Sequence, residues 1–306
     1  MPAVNASSPP AAVYLKLVLT TAFWGGAFIA GRHLAQLMPH FLAATGRFAI
    51  ALVPLLAFAI GRRDLPRLTR RQLVATVLLG ATGVFAYNAF FFAGLAHLPA
   101  SRAALIVALS PVITMLVMRV LGRERWRRLR VVGVGISLVG VTLVITRGDP
   151  AAALGGDVGV GELWMFLAVV AWVAYTLLGR FALEGLSAIA ATAWSTLWGT
   201  LMLALPAVVE LARGEAGWPD GASWLAIVYL GVCGTALAFV WYNQAVATIG
   251  PALATLYTNL VPVFAVLLSM LFLGERPAFA TLAGGAMVVF GVWLANRAGA
   301  VTTRPG

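Results

Sequence analysis

Pro111–Glu124, PVITMLVMRVLGRE, and Pro262–Glu275, PVFAVLLSMLFLGE, are two versions of one stretch. Each opens on Pro-Val, runs through mostly apolar residues and closes on a glutamate, with a constant offset of 151 residues between the copies. The same offset superimposes Leu79 on Leu230, Gly80 on Gly231, Gly83 on Gly234, Ala103 on Ala254 and Leu105 on Leu256. It also pairs Leu109 with Leu260, Leu116 with Leu267, Gly133 with Gly284, Gly140 with Gly291 and Leu143 with Leu294. A register held without a gap over about 65 residues marks an internal duplication.

Working outward, the 306 residues are 61% hydrophobic and 10% charged, with a mean hydropathy of +0.95. Soluble domains carry roughly 45 to 50% apolar and about 25% charged residues. So few polar groups cannot cover a water-facing surface, and lipid must be the solvent for most side chains. The formal charge of +11 resides in arginines grouped at Arg62–Arg71 and Arg119–Arg130, between apolar runs. That placement fits loops beside anionic lipid at a cytoplasmic surface and argues against nucleic acid as a partner. Cys233 is single, and His33, His40 and His97 share no metal-ligand spacing, so neither a disulfide framework nor a metal site is expected. The N-terminal MPAVNASSPPAA has no basic region before an early cleavage site and reads as a retained tail.

A helix crosses a hydrocarbon core of about 30 Å with about 20 apolar residues. Ten stretches qualify, near Tyr14–Ala35, Phe41–Ile60, Gln72–Leu95, Ser101–Leu121, Leu129–Thr146, Gly161–Arg180, Ala188–Ala212, Trp224–Thr248, Ala252–Leu273 and Phe279–Asn296. The expected fold is an all-α integral membrane protein with ten transmembrane helices, arranged as two five-helix repeats. It divides into a tail (1–13), a first repeat (14–147), a linker (148–160), a second repeat (161–297) and a C-terminal tail (298–306). Five spans per copy is an odd number, so the second copy enters the bilayer inverted, an architecture of secondary transporters with a midplane site between the halves. Lys/Arg bias places both termini in the cytoplasm. Thirteen residues of helix put each proline about 20 Å from its glutamate, so the two prolines meet near the midplane.

Proline inside a helix removes one backbone bond and clashes with the carbonyl four residues back, here Val107 and Thr258. Pro111 and Pro262 are therefore candidate kinks and gates. Thr255, Thr258 and Asn259 beside the second proline either knit helices together or line a cavity. Spans three and eight carry glycine stripes, Gly80, Gly83 and Gly94 in one, Gly231 and Gly234 in the other, that let backbones approach. Aromatic residues follow the same faces, and the candidate substrate-binding set is Trp24, Tyr87, Phe91, Trp172, Tyr175, Trp241, Tyr242, Thr255, Tyr257 and Asn259. Rings would supply apolar contact and cation-π capacity for an ammonium, while Asn259 and the threonines would orient a polar end. Trp218 and Trp224 suit an interfacial belt.

Arg47 stands about two turns inside the second span, where it either snorkels to the outer interface or supplies a cation to the cavity. No Asp or Glu is mid-span, so the usual carboxylate proton relay is missing, which favours facilitated movement down a gradient or coupling through less obvious groups. Phosphate-loop, Ser/His/Asp and paired-carboxylate patterns are absent, so no enzyme activity and no cofactor are expected. A lipid-handling membrane enzyme or a scaffold without solute transport stands as the alternative.

Several motifs together resemble the EamA type of the drug/metabolite transporter (DMT) superfamily. They are Phe23-Trp24-Gly25-Gly26, Ala44-Thr45-Gly46-Arg47-Phe48, Tyr87 through Leu95 before Pro99-Ala100-Ser101, and Ser110-Pro111-Val112 with Leu121-Gly122-Arg123-Glu124. Val261-Pro262-Val263 with Leu273-Gly274-Glu275-Arg276 completes the set. The resemblance implies a ten-helix inner-membrane exporter of amino acids, other small metabolites or drugs, with a cavity bounded by spans 1, 3, 4, 6, 8 and 9. It extends to the YddG-like branch, which exports aromatic and other neutral amino acids, and a monomer is expected. Arg102 departs from the pattern, which usually keeps a small or neutral residue there.

Overall fold

The computed structural model describes residues 11–121, 128–146, 148–149, 159–182, 185–214, 219–249 and 257–300. Those residues form helices and connecting turns, with no strand among them. In chain order the helices are α1 (Ala11–Leu37), α2 (His40–Gly61), α3 (Arg70–Leu79), α4 (Tyr87–His97), α5 (Ala100–Val107) and α6 (Ser110–Val120). They continue as α7 (Arg128–Thr146), α8 (Val160–Ala182), α9 (Ala188–Ala212), α10 (Gly221–Gly231), α11 (Ala238–Ile249), α12 (Val261–Phe272) and α13 (Phe279–Ala300).

Seven helical stretches are long and apolar enough to cross a membrane: Ala11–Leu37, His40–Gly61, Arg70–His97, Ala100–Val120, Val160–Gly179, Ile189–Ala212 and Gly221–Tyr242. Three shorter apolar helices, Val131–Val144, Val261–Phe272 and Phe279–Ala295, lie where the fifth, ninth and tenth spans were expected. Exposure is the reverse of a soluble protein. Val53, Leu205, Phe272 and Phe279 stand in the open, whereas Arg47, Asn88, Ser137 and Thr235 are buried. Helices hide polar groups inside and turn hydrocarbon outward because lipid cannot satisfy a polar atom. Trp224 is half in the open on the first turn of α10, as an interfacial tryptophan should be; Trp218 lies outside the described residues.

Three local features position the interior. First, Pro111 does not kink a continuous helix, as the sequence suggested; the helix ends at Val107 and restarts at Ser110. Pro111 then occupies the first turn of α6, where its missing N–H costs nothing. The carbonyl of Val107 accepts from the Ser110 hydroxyl at 2.6 Å, so it is not left bare. Pro262 likewise sits in the first turn of α12, after a turn in which Leu260 N donates to the Tyr257 carbonyl.

Second, spans three and eight each contain a π-helical segment, Gly80–Ala86 between α3 and α4 and Val232–Leu237 between α10 and α11. The offset of 151 lays one on the other. Such segments carry one residue more per turn and turn the following side chains to a new face. The glycine that opens the first, Gly80, and the one just before the second, Gly231, admit neighbours closely. A Cβ on Gly80 would lie 2.6 Å from the Ser195 carbonyl, and one on Gly231 would lie 2.8 Å from the Arg47 carbonyl.

Third, α7 and α13 run antiparallel through glycine contacts. A Cβ on Gly140 would meet the Gly284 carbonyl at 2.6 Å, and one on Gly284 would meet the Gly140 carbonyl at the same distance. Gly133 and Gly291 approach each other in the same way. Between them Ser137 donates to the carbonyl of Val288 at 3.3 Å, a residue 151 positions away.

Polar contacts concentrate at the two ends of the bundle. At one end the Glu275 carboxylate accepts from Ala100 N, Ser101 N and the Ser101 hydroxyl, so α5 is capped from the far side of the chain. Glu210 accepts from Phe41 N and Leu42 N at the start of α2. There too Arg32 donates to the Leu95 carbonyl. Arg102 pairs with Glu162 at 2.7 Å, both side chains 6% exposed. That pair accounts for the departure at Arg102: its charge is matched by a carboxylate from α8. At the opposite end the Arg62–Arg71 loop leads into α3, the Ser187 hydroxyl donates to Asp64, and Gln72 donates to the Gly185 carbonyl. Glu124 lies outside the described residues.

Candidate functional site

The expected aromatic residues fall into two groups, both resting on α1. In the first, Tyr87 stacks on Phe91 with ring centres 5.5 Å apart and meets Trp172 at 5.4 Å, while Trp172 meets Tyr175 at 5.2 Å. Phe28 of α1 closes on Phe91 at 5.3 Å. Gly83 makes room for the Tyr175 ring, which occupies the place where a Cβ would stand. Phe91 is 2% exposed, so it backs this wall and presents no surface of its own.

In the second group the Trp24 indole donates to the carbonyl of Gly234, inside the second π-helical segment, at 3.1 Å. The same ring faces Tyr242 at 5.5 Å and Phe239 at 6.0 Å. Trp241 stacks on Phe23 at 5.7 Å, and Tyr229 donates its hydroxyl to the Phe23 carbonyl at 2.9 Å. Tyr257 pairs with Tyr14 at 6.1 Å, towards the arginine-rich end. Asn259 is half-buried in the break before α12, and Thr255 lies outside the described residues. No ring contact joins the first group to the second among the described residues.

Arg47 lies between them. It does not snorkel, which corrects one of the two sequence expectations; its residue is 7% exposed. Nε donates to the Thr235 hydroxyl oxygen at 3.3 Å and Nη1 to the Asn88 side-chain oxygen at 3.1 Å. The guanidinium carbon sits 5.0 Å from the centre of the Phe48 ring, and the phenols of Tyr87 and Tyr229 are within its electrostatic reach. Snorkelling fails for a geometric reason: α4, α10 and the second π segment pack against α2, and Asn88 and Thr235 offer oxygens at depth.

Those oxygens are aimed by the π-helical segments. Asn88 donates to the Val84 carbonyl in the first segment at 2.8 Å, which leaves its oxygen facing Arg47. Thr235, inside the second, donates to the Leu230 carbonyl five residues back at 2.9 Å and so presents its lone pairs to Nε. Asn88, Thr235 and Tyr229 were not singled out from sequence. An amide at Asn88, within a span and adjacent to Tyr87, was the available signal. Among the described residues every carboxylate, Asp64, Asp149, Glu162, Glu210, Asp220 and Glu275, stands at a helix end, and no group of three or more His, Cys, Asp or Glu residues is placed to hold a metal.

Known proteins share this plan. The EamA-like transporter family matches residues 11–146 and again 159–297. The "Probable terminal-alkyne amino-acid exporter" of Streptantibioticus cattleyicolor is 32% identical over 289 residues, covering 92% of each chain. The "Uncharacterized transporter YyaM" of Bacillus subtilis is 27% identical over 93% of each chain. The "Uncharacterized inner membrane transporter YedA" of Escherichia coli K12 is 28% identical over 89% of this chain and 86% of its own. A solved crystal structure superposes with a TM-score of 0.66 at 23% identity, over 97% of this chain and 100% of the other, which supports the fold. Two matches of one family on one chain, at full length against its relatives, make this multi-pass membrane protein a member of the EamA-like transporter family of the DMT superfamily.

Proposed function

We propose that this transporter exports small metabolites, amino acids foremost, by alternating access between two inverted five-span repeats. The observation that carries the reading is the pair of aromatic groups built on α1, one from spans three and six, the other from span eight. Rings with polar tips around a buried cation suit a molecule with an apolar side chain and charged backbone groups. Similarity to a relative named as an amino-acid exporter points the same way.

The repeats comprise residues 14–147 and 161–297, joined by the linker 148–160, with tails on either side in the cytoplasm. Support for inversion comes from the antiparallel α7 and α13, whose glycine contacts exchange partners under the offset of 151. Substrate contacts are assigned to Trp24, Tyr87, Trp172, Tyr175, Trp241, Tyr242, Thr255, Tyr257 and Asn259, with Phe91 as backing and the breaks before Pro111 and Pro262 as hinges. Carboxylate contacts between the halves at Glu275, Glu210 and Arg102–Glu162 support a state closed at the outer face. The setting is the inner membrane, with anionic lipid at the arginine-rich face and the chain acting as a monomer.

Efflux from proteoliposomes loaded with a panel of labelled amino acids tests this. Trp172→Ala and Asn259→Ala should slow the amino acids that the unmodified protein moves. If both variants carried every substrate at the unmodified rate, the assigned site would be wrong. The same flux should continue without a pH gradient, because the described carboxylates stand at helix ends; strict dependence on the gradient would overturn facilitated movement.

A further inference from the structure

We propose that Arg47 receives the carboxylate of the transported molecule, which makes carboxylate-bearing solutes the substrate class. The inference rests on the transport reading and adds to it the chemical group that the site selects. A guanidinium buried inside a span needs compensating charge, because desolvation penalises the ion and neutral oxygens return only part of the loss. Among the described residues no carboxylate lies within ion-pair distance of Arg47.

What the protein does supply is orientation. Thr235 takes Nε and Asn88 takes Nη1, and each acceptor is fixed through a backbone carbonyl of spans eight and three. Nη2 has no acceptor among the described residues, and the planar group is held over Phe48. An arginine held this way offers the fork that a carboxylate accepts in bidentate fashion. Its neighbours match the remainder of an amino acid. Tyr87 leads to the wall of Phe91, Trp172 and Tyr175, and Thr235 adjoins the Gly234 carbonyl that anchors Trp24. One cation therefore bonds to Thr235 inside the second π segment and to Asn88, which the first π segment holds through the Val84 carbonyl, and it lies between both ring groups. A substrate carboxylate at Arg47 would also join the two repeats, since α2 belongs to the first and Thr235 to the second.

The test measures binding to the full-length protein in lipid nanodiscs by calorimetry. The probes are L-leucine, L-methionine, L-phenylalanine and L-tryptophan, their four carboxamides, and phenylacetate. The expected result is that the acids bind about 10- to 100-fold more tightly than the amides, the range for a charge-assisted hydrogen bond. Arg47→Gln should abolish that ratio while leaving amide binding in place, and Arg47→Lys should restore part of it. Thr235→Val, which only loosens the orientation, should reduce acid binding and spare amide binding. Equal affinity for acid and amide in the unmodified protein would overturn the assignment without any variant. So would an equal loss of both in Arg47→Gln, which would make Arg47 a packing element. If phenylacetate binds and depends on Arg47 while none of the four amino acids binds or moves, the carboxylate assignment stands and the amino-acid reading falls. No carboxylate binding at all would overturn the inference.

Discussion

Gly133 and Gly135 sit two residues apart on α7 and should respond to alanine in opposite directions. A Cβ on Gly133 would stand 2.6 Å from the Gly291 carbonyl and 2.7 Å from Ala295 N, whereas one on Gly135 would have nothing within 4 Å. To move from 2.6 Å to the 3.4 Å at which ordinary contact begins, α7 and α13 must part by about 0.8 Å. That separation forfeits close packing along the interface and lengthens the Ser137–Val288 hydrogen bond, already 3.3 Å. Overpacking of this kind costs about 1 to 3 kcal/mol, set against the gain of up to about 1 kcal/mol that alanine brings over glycine in a helix. Gly135→Ala keeps the gain alone. Thermal unfolding of the purified protein in one detergent, followed by tryptophan fluorescence, should rank Gly135→Ala at or above the unmodified protein and Gly133→Ala below it. Gly140→Ala should fall with Gly133→Ala, because the Gly284 carbonyl blocks its Cβ at the same distance of 2.6 Å. Equal stability of Gly133→Ala and Gly135→Ala would refute the close glycine interface and the symmetry argument built on it.

Removing one partner of the buried Arg102–Glu162 pair should cost about 3 to 5 kcal/mol, since the remaining charge would stay buried without its counter-ion. Arg102→Met should therefore unfold well below the parent, and Arg102→Met with Glu162→Met should recover most of the loss; parental stability in the single variant would contradict the pairing. Asp220 caps α10 at the membrane edge, and the Ser223 hydroxyl and backbone N–H, donating to its carboxylate, hold that carboxyl below its usual range. Its contribution is therefore complete above the ordinary aspartate value of about 4 and disappears as pH falls through the lowered one. Protection of the Ser223 amide from hydrogen exchange should drop over that acid range, and Asp220→Asn should remove the pH dependence; an unchanged profile in the variant would count against the cap.

The all-helical membrane character of the chain was legible because its signals are dense and local. Apolar runs, arginine-rich turns and the repeated Pro-Val stretch each fix helices without knowledge of long-range contacts. The glycine stripes of spans three and eight were legible in part: Gly80 and Gly231 admit neighbouring backbone, Gly83 admits the Tyr175 ring instead, and a Cβ on Gly234 would meet nothing nearer than 3.8 Å. The π-helical segments were not, because one extra residue in a turn leaves no mark in hydropathy. Pro111 was read as a kink, yet the Ser110 hydroxyl and a first-turn position let the helix break cleanly. Arg47 was the hardest residue to place. Its depth was visible, but its burial depends on Asn88 and Thr235, 41 and 188 residues away, and on π-helical turns that aim them. Glu275 closes the repeated Pro-Val stretch and was legible there, but its capping of α5 from 175 residues away was not, and Glu210, which caps α2 from 168 residues away, was not singled out.

Opposed insertion of the two repeats is the claim on which the site between them depends, and labelling decides it most directly. Arg62 and Arg213 are equivalent at the offset of 151, both exposed and both at the C-cap of their helices, α2 and α9. After Cys233, the single cysteine, is replaced by serine, Arg62→Cys and Arg213→Cys are each treated in intact cells with a membrane-impermeant maleimide. Arg213→Cys should label at once and Arg62→Cys only after the cells are permeabilised. Labelling of both from the same side would place equivalent turns on one surface and contradict the inverted arrangement.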